Sequence, residues 1–519
     1  MGARGAGAPR VTPERDIIER ILRARVYDVA EETPLDSAPQ LSARLGTPVW
    51  LKREDLQPVF SFKLRGAYNK IAGLSPLDGA RGIFAASAGN HAQGVALAAA
   101  RLGYRATIAM PRTTPEIKVR AVAALGAEVV LHGDTYDEAH EEAQARCTRA
   151  GGVFVHPYDD LDVIAGQGTI AVELLRQHPE PIDAVFVPVG GGGLLAGVQS
   201  YLKFLRPETA VIAVEPDDAA CLQAALRAGR PVPLDHVGIF ADGAAVREVG
   251  AHPFALVHER LDGVVTVNVD EICAAILDLF EDTRVVAEPA GALAVAGMKK
   301  WVAGKSVGGA SGRSLIAIVT GANMDFHRLR YISERAELGE QREAIFAVTI
   351  PERPGSFRRL CAAIGDRAIT EFNYRYADAN EAHVFVGVEL RRGAEERREI
   401  AASLRARGHA VVDMTGNELA VLHTRHMVGG RVPALDDERL LRFEFPERPG
   451  ALMKFLTAMN RGWNISLFHY RNHGGAVGRV LAGIQVPASE AAGFARYLDE
   501  LGYPWVEETD NEAYRLFLR

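Results

Sequence analysis

The sequence predicts an α/β protein in two parts: a long stretch of parallel sheets covered on both faces, then two smaller α+β modules. Three observations carry this. Between Val49 and Thr320, short continuous apolar runs alternate with segments of helix length, which is how strands buried on both faces of a parallel sheet read. Three glycine-containing tracts fall at the carboxyl ends of such strands. Further on, Ile350-Pro351-Glu352-Arg353-Pro354-Gly355 recurs as Phe445-Pro446-Glu447-Arg448-Pro449-Gly450, about 95 residues later, the mark of a duplicated module. A chain of 519 residues is too long for one core, so two to four domains are expected.

Residues 13–31 read as an amphipathic helix with Ile17, Ile18, Ile21, Leu22 and Val26 on one face, ended by Thr33-Pro34-Leu35. Val49–Lys52 is a short strand, and Arg53–Gln57 a polar loop leading to Lys63. The expected strands are 82–86, 106–110, 128–131, 152–155, 184–189, 210–215 and 315–320. The expected helices between them are 91–102, 115–125, 136–150, 166–177 and 194–204. Residues 327–343, rich in Arg and Glu, read as a solvated helix or linker. Each repeat then leads into a helix, 356–364 and 451–459. Similar strands follow, Phe372-Asn373-Tyr374-Arg375 and Phe468-His469-Tyr470-Arg471, and after them 383–390 and 479–486.

Composition narrows the function. A net charge of −7 with no dense basic run argues against nucleic acid. Cys147, Cys221, Cys273 and Cys361 are scattered and form no CxxC pair, so a disulfide framework or zinc site is not expected and a reducing cytoplasm is. The N-terminal MGARGAGAPR has no apolar signal core. The uncharged run from Ala184 to Leu202 approaches the length of a membrane span. Pro188 and glycines 190–193 break it, so it reads as strand, loop and helix.

The chemistry centres on Lys63, in Phe60-Ser61-Phe62-Lys63-Leu64-Arg65-Gly66. The chain has nine lysines against fifty arginines. A lysine kept in an apolar setting is a candidate amine, because lysine can lose its proton and form an imine whereas arginine cannot. Ser87-Ala88-Gly89-Asn90-His91-Ala92-Gln93-Gly94 lies where a strand gives way to a helix. Open amides at a helix start bind anions, and a carboxylate suits this one; the bland alternative is a plain helix cap. Gly190-Gly191-Gly192-Gly193-Leu194 lies at another such junction, where consecutive amides free of Cβ atoms can converge on a phosphate; the alternative is a flexible turn. It is neither a Walker loop nor a dinucleotide fingerprint. Thr320-Gly321-Ala322-Asn323 ends the last strand, where ligands of open parallel sheets bind, and Thr320 offers a hydroxyl.

An imine-forming lysine, a phosphate cup, a carboxylate loop and a hydroxyl for a ring nitrogen together describe a pyridoxal 5'-phosphate site. Ser61–Ala67, Ser87–Gly94, Gly190–Leu194 and Glu288-Pro289-Ala290-Gly291-Ala292 closely resemble, in order, the biosynthetic threonine dehydratases (threonine ammonia-lyases) of the tryptophan-synthase-β-like family. The tandem modules resemble the ACT-like regulatory domains of the long, isoleucine-controlled members. The resemblance implies a PLP-dependent fold type II catalytic part of two open parallel-sheet subdomains, residues 1–335, with the smaller subdomain at about 55–160. ACT-like domains follow at 344–418 and 440–515.

By that resemblance Lys63 is the catalytic amine that also binds the cofactor's aldehyde, with Phe62 near its ring and Asn90 on its ring oxygen. Gly190, Gly191, Gly192, Gly193 and Leu194 hold the phosphate, and Thr320 faces the ring nitrogen where the family often has serine. Ser87, Ala88, Gly89, Asn90 and His91 hold the substrate carboxylate. Related enzymes place a divalent cation on a Glu-Ala-Asp trio. Here Glu215 and Ala219 fit but Cys221 replaces the second carboxylate, so no strong metal site is expected. The implied reaction is deamination of L-threonine to 2-oxobutanoate and ammonia, the committed step of isoleucine biosynthesis. Isoleucine is the implied inhibitor, valine an opposing activator, and the assembly a homotetramer. The alternatives are a serine-preferring dehydratase or another β-eliminating or β-replacing enzyme of this fold. From another class, the chain could be an amino-acid sensor with a dead catalytic domain, against which intact Lys63 and Asn90 argue.

Overall fold

The computed structural model describes residues 13–304, 313–351, 360, 363–364, 367, 369–374, 381–426, 437–446, 455, 463–471 and 477–518. They form two compact units, Met1–Asp325 and Phe326–Arg519. The N-terminal decapeptide, Cys361, most of the two Pro-Glu-Arg-Pro-Gly repeats and most of the helices expected after them lie outside the described residues.

The first unit holds two sheets. The larger has six strands in the order Leu35–Ser37, Val49–Arg53, Ser314–Val319, Ile182–Pro188, Ala210–Pro216, Gly263–Val267. The first pairs antiparallel and the others are parallel. The strand Ile182–Pro188 shows why: Val185, Phe186 and Val187 are all fully buried, so both faces need cover. Val185 and Val187 join one apolar cluster with Ile164, Leu195 and Val198 of the helices Leu161–Gln177 and Gly193–Leu205. Phe186 points the other way, edge-on to Trp301 of the helix Pro289–Ala303. The smaller sheet is fully parallel, in the order Glu128–Leu131, Ala106–Met110, Ile83–Ala86, Val153–Phe154. The uncharged run 184–202 is thus strand, loop and helix. Among the described residues no helix is long and apolar enough to cross a membrane.

Three helices that carry or flank the chemistry touch through glycines. A Cβ on Gly66, in the helix Lys63–Ala72, would lie 2.7 Å from the Val163 carbonyl oxygen. One on Gly166 would lie 2.6 Å from that of Arg65, and one on Gly197 2.5 Å from that of Ile164. Contacts under 3.0 Å exclude any side chain, so this seam holds the Lys63 helix, the central helix and the helix after the glycine loop at backbone-to-backbone distance.

Below Lys63's helix lies a buried charge network. Arg65, with no exposure, grips Glu54 through Nε and Nη2 at 2.8 Å each, and Glu173 through Nη1 at 2.6 Å and Nη2 at 3.0 Å. Lys52 adds a 2.6 Å bond to Glu173. The expected polar loop Arg53–Gln57 is therefore part of the interior: Glu54, Asp55 and Gln57 are buried.

Some elements differ from expectation. The first helix stops at Arg23, and Asn69 Oδ1 takes the Arg25 amide at 2.8 Å, diverting the helical ladder. The helix expected from Gly166 starts at Leu161, capped by Asp160, whose Oδ1 accepts from the amides of Asp162 and Val163. Among the elements not anticipated are the strand Gly263–Val267 and the helices Cys221–Ala228, Val269–Thr283 and Pro289–Ala303.

In the second unit a helix, Arg328–Gly339, precedes two antiparallel four-stranded sheets of the same topology. One runs Ile369–Tyr374, Glu381–Glu389, Glu343–Pro351, Ala410–Asp413; the other runs Asn464–Arg471, Val477–Gln485, Glu438–Pro446, Trp505–Glu507. Each has a register irregularity in its first strand, between Ile369 and Glu371 and between Ile465 and Leu467. That the bulge recurs at matching positions supports duplication of a whole module. Side-chain alternation then builds three cores. Phe346 and Val348 face one cluster and Phe443 and Phe445 another, while Ile345, Phe385, Leu440 and Leu481 meet in a third cluster drawn from both sheets.

Candidate active site

Lys63 opens its helix from a clipped turn. Phe60 adopts φ 53°, a left-handed conformation that costs a non-glycine residue energy. Backbone bonds to the end of the central strand hold it there: Ala322 N–H donates to the Phe60 carbonyl at 2.9 Å, and Phe62 N–H to the Thr320 carbonyl at 3.3 Å. The first and last motifs of the catalytic unit are thereby zipped together, and both contribute to one pocket. Phe62, Lys63, Pro157, Tyr158, Gln167, Pro188, Gly190–Gly193, Leu194, Gly243, Ala244, Ala290 and Thr320 line it.

Burial pushes the Lys63 amine down to about 8, against the opposing charge of Glu288. Its Nζ lies 5.8 Å from the centre of the Phe62 ring. A lysine so shifted holds a useful fraction of free base near neutrality.

The glycine loop is crowded as well as open. A Cβ on Gly191 would lie 2.1 Å from the Tyr158 ring, and one on Gly193 2.9 Å from the Tyr158 carbonyl oxygen. Gly192 has φ 89° and starts the helix Gly193–Leu205 without a side-chain cap. The first amides of a 13-residue helix are left to an anion, with the helix dipole favouring negative charge. Thr320 is buried, and its hydroxyl donates to the Ala290 carbonyl at 3.1 Å.

Ser87, Ala88, Gly89, Asn90 and His91 are not among the pocket's lining residues. Gly89 is the N-cap of the helix Asn90–Leu102 and donates its N–H to Ser87 Oγ at 3.2 Å. Gly94 brings this helix against the backbone of Lys63 and Leu64: a Cβ there would lie 3.0 Å from Leu64 Cα. Asn90 Nδ2 donates to Glu288 Oε1 at 2.5 Å, and its Oδ1 accepts from Asn323 Nδ2 at 2.8 Å. His91 places Nε2 2.9 Å from the Val155 carbonyl. Burial and the Lys63 charge push its imidazole down to about 3, so it is neutral, with Nε2 donating.

Glu215 sits at the start of the helix Cys221–Ala228, accepting from the amides of Leu222 and Gln223 at 2.7 and 2.9 Å. Its carboxyl is committed to that helix, and the Cys221 thiol donates to the Gly190 carbonyl at 3.3 Å.

Among the lining residues that sequence reasoning missed are Tyr158, from a segment without regular structure, and Gly243 and Ala244, from the short 3-10 helix Asp242–Ala244. It quoted Glu288 within a motif without giving it a role. A carboxylate directly before Pro289, at a helix start, was the available signal.

The chemistry of this pocket has a family. Residues 26–321 match the model of the pyridoxal-phosphate dependent enzymes, and the chain belongs to that family. The residues present fit the cofactor: a desolvated amine, a helix start open to a phosphate and a hydroxyl share one cavity.

Residues 334–424 and 429–518 match the C-terminal regulatory domain of threonine dehydratase. The chain is 57% identical over 507 residues to the biosynthetic L-threonine dehydratase IlvA of Burkholderia multivorans, covering 97% of this chain and 99% of that one. It is 54% identical to the same enzyme of Escherichia coli, covering 99% and 98%. The structure of processed threonine deaminase isoform 2 from Solanum lycopersicum matches with a TM-score of 0.61 and 46% identity, over 64% of this chain and 96% of that one. Within its family the chain takes its place among the biosynthetic threonine dehydratases, which are pyridoxal-phosphate dependent lyases.

Proposed function

We propose that the chain converts L-threonine to 2-oxobutanoate and ammonia as the committed step of isoleucine biosynthesis, and that isoleucine restrains it. The observation that carries this is the Lys63 amine, lowered to about 8 in a pocket that also holds the glycine loop and Thr320. Pyridoxal phosphate, when bound, supplies an aldehyde for the amino group and a ring that takes up the electron pair left when the α-proton departs. In this reading Lys63 is the base that removes that proton. Amides of Gly190, Gly191, Gly192, Gly193 and Leu194 hold the phosphate, Phe62 packs beside the ring, and Asn90 meets its ring oxygen. Thr320 would turn its hydroxyl from the Ala290 carbonyl to donate to the ring nitrogen. The helix start at Ser87, Ala88, Gly89, Asn90 and His91 receives the substrate carboxylate. Tyr158, seated on the glycine loop, helps exclude water.

The catalytic domain is assigned to residues 1–335, with a smaller subdomain at about 55–160, and ACT-like domains to 344–418 and 440–515. The paired modules are assigned isoleucine as inhibitor and valine as opposing effector, in a cytoplasmic homotetramer. Coupling of about 1–3 kcal/mol shifts apparent affinity several- to a hundred-fold.

The test is 2-oxobutanoate release from L-threonine and from L-serine by the loaded protein, with and without isoleucine. Threonine turnover that isoleucine suppresses, and that loses this sensitivity when residues beyond 340 are removed, is the expected result. Faster turnover of serine would move the substrate. Unsuppressed turnover would overturn the effector assignment.

A further inference from the structure

Glu288 has no part in the mechanism above, yet its placement is specific. It occupies the N-cap of the helix Pro289–Ala303, but its side chain makes no capping bond to that helix. It is buried, with 3% exposure, and turns to Asn90, whose Nδ2 donates to its Oε1 at 2.5 Å. The other edge of the same amide is also held. Asn323 Nδ2 donates to Asn90 Oδ1 and to the Val59 carbonyl, both at 2.8 Å. With Nδ2 toward a carboxylate and Oδ1 toward a donor, the Asn90 amide has a single consistent orientation. One of its two N–H groups is then left for a ligand.

The backbone around the pair is shaped to admit it. A Cβ on Gly321 would lie 2.6 Å from Glu288 Oε1. One on Gly243, a pocket residue, would lie 3.5 Å from that oxygen and 3.8 Å from Asn90 Nδ2. A Cβ at 321 would collide with the carboxyl and come within 3.0 Å of the Phe60 carbonyl oxygen, whereas at 243 it would meet the pair at ordinary contact distance and crowd Ala290, 2.9 Å away. Glycine at 321 thus leaves room for the Glu288 carboxyl beside the Asn90 amide.

We infer that Glu288 is a positioning residue of the reaction, fixing the side-chain amide of Asn90 and, through it, the contact with the cofactor's ring oxygen. This rests on the contact assigned to Asn90 above. The charged groups facing Glu288 come from three other elements: Lys63, Lys118 of the helix Glu116–Ala124, and Asp242, which is ion-paired to Lys118. Burial, then Asp242, pushes the Glu288 carboxyl up to about 7, against Asn90, Lys118 and Lys63. Its grip on Asn90 therefore changes with pH near neutrality. Above about 7 the bond is charge-assisted, and below it is a neutral bond roughly half as strong.

The test uses the holoenzyme of the wild type, Glu288→Gln and Glu288→Ala. Visible absorbance of the bound cofactor is recorded from pH 5.5 to 9, together with kcat and KM for threonine. Gln keeps an acceptor for Asn90 but cannot titrate. The wild type is expected to show a spectral transition near pH 7, and Glu288→Gln a flat spectrum like the wild type's acid form. Glu288→Ala is expected to lower kcat about 100-fold, as misplacement by an ångström does, with a smaller change in KM. A transition that persists in Glu288→Gln overturns the inference, as does a wild type without one. Should Glu288→Ala not fold, the near-isosteric Gln variant decides alone. The spectral arm needs no substrate. A transition abolished by Gln in a protein that does not turn over threonine supports the role of Glu288 and refutes the substrate instead.

Discussion

Buried carboxylates occur in two settings in the catalytic unit, and the contrast is instructive. Glu54 is fully buried, and burial pushes its pKa upward, but Arg65 and then Lys52 outweigh that and hold it below the ordinary carboxylate range. Its two oxygens accept from Arg65, Thr33 and Gln57. Glu215 and Glu288 are buried as deeply but accept from neutral N–H groups, and burial pushes both up to about 7. Neutral donors do not replace the solvation a carboxylate loses; a guanidinium does. The network under Lys63 is thus built to stay charged, whereas burial among neutral donors raises Glu215 and Glu288 toward the protonated form.

The contrast is broken most severely at Arg65. Arg65→Met strands Glu54 and leaves Glu173 with Lys52 as its cation, and stability should fall by about 3–5 kcal/mol, read as a lower urea midpoint with an unchanged slope. Arg65→Lys keeps one charge but loses the fork, and should recover part of the loss.

Glu215→Gln sharpens the comparison through pH. The folded pKa of Glu215, about 7, lies above the unfolded value. The folded protein therefore keeps a proton that the unfolded chain has lost, and this contribution is full below about pH 4.5 and lost as pH rises through about 7. Relative to wild type, Glu215→Gln should gain up to about 3 kcal/mol between pH 4.5 and 8, and thermal melts at both pH values measure the difference. Glu54 runs the other way, because a depressed pKa gives stability that is lost in acid.

The smallest effect is expected at Thr320. Thr320→Ser keeps the hydroxyl that donates to Ala290 and removes one buried methyl group. Stability should fall by about 1 kcal/mol, with threonine turnover within a few-fold of wild type.

Lys63, the glycine loop and Thr320 were legible because each stands at a strand–helix junction flagged by its neighbours in sequence. Tyr158 was not, because its tie to the site is the fit of its ring over Gly191, which has no local signature. The strand Gly263–Val267, a half-buried sheet edge, escaped notice although Val264-Val265-Thr266-Val267 is β-branched throughout. The interior role of Arg53–Gln57 was hidden by composition. Charged residues read as surface until Arg65 and Glu173, distant in sequence, are seen to complete them.

The strand Ser314–Val319 lies in the middle of the six-stranded sheet, between Val49–Arg53 and Ile182–Pro188, although it is the last of the six to leave the ribosome. Until it emerges, the nascent chain carries two half-sheets, each with an open parallel edge ready to pair with a neighbouring polypeptide. The turn at Phe60 likewise waits for Thr320–Ala322. Translation thus delivers the lysine early and withholds its seat until the end of the catalytic unit, so a message broken before that point yields no partly working enzyme, only two sticky fragments of a sheet.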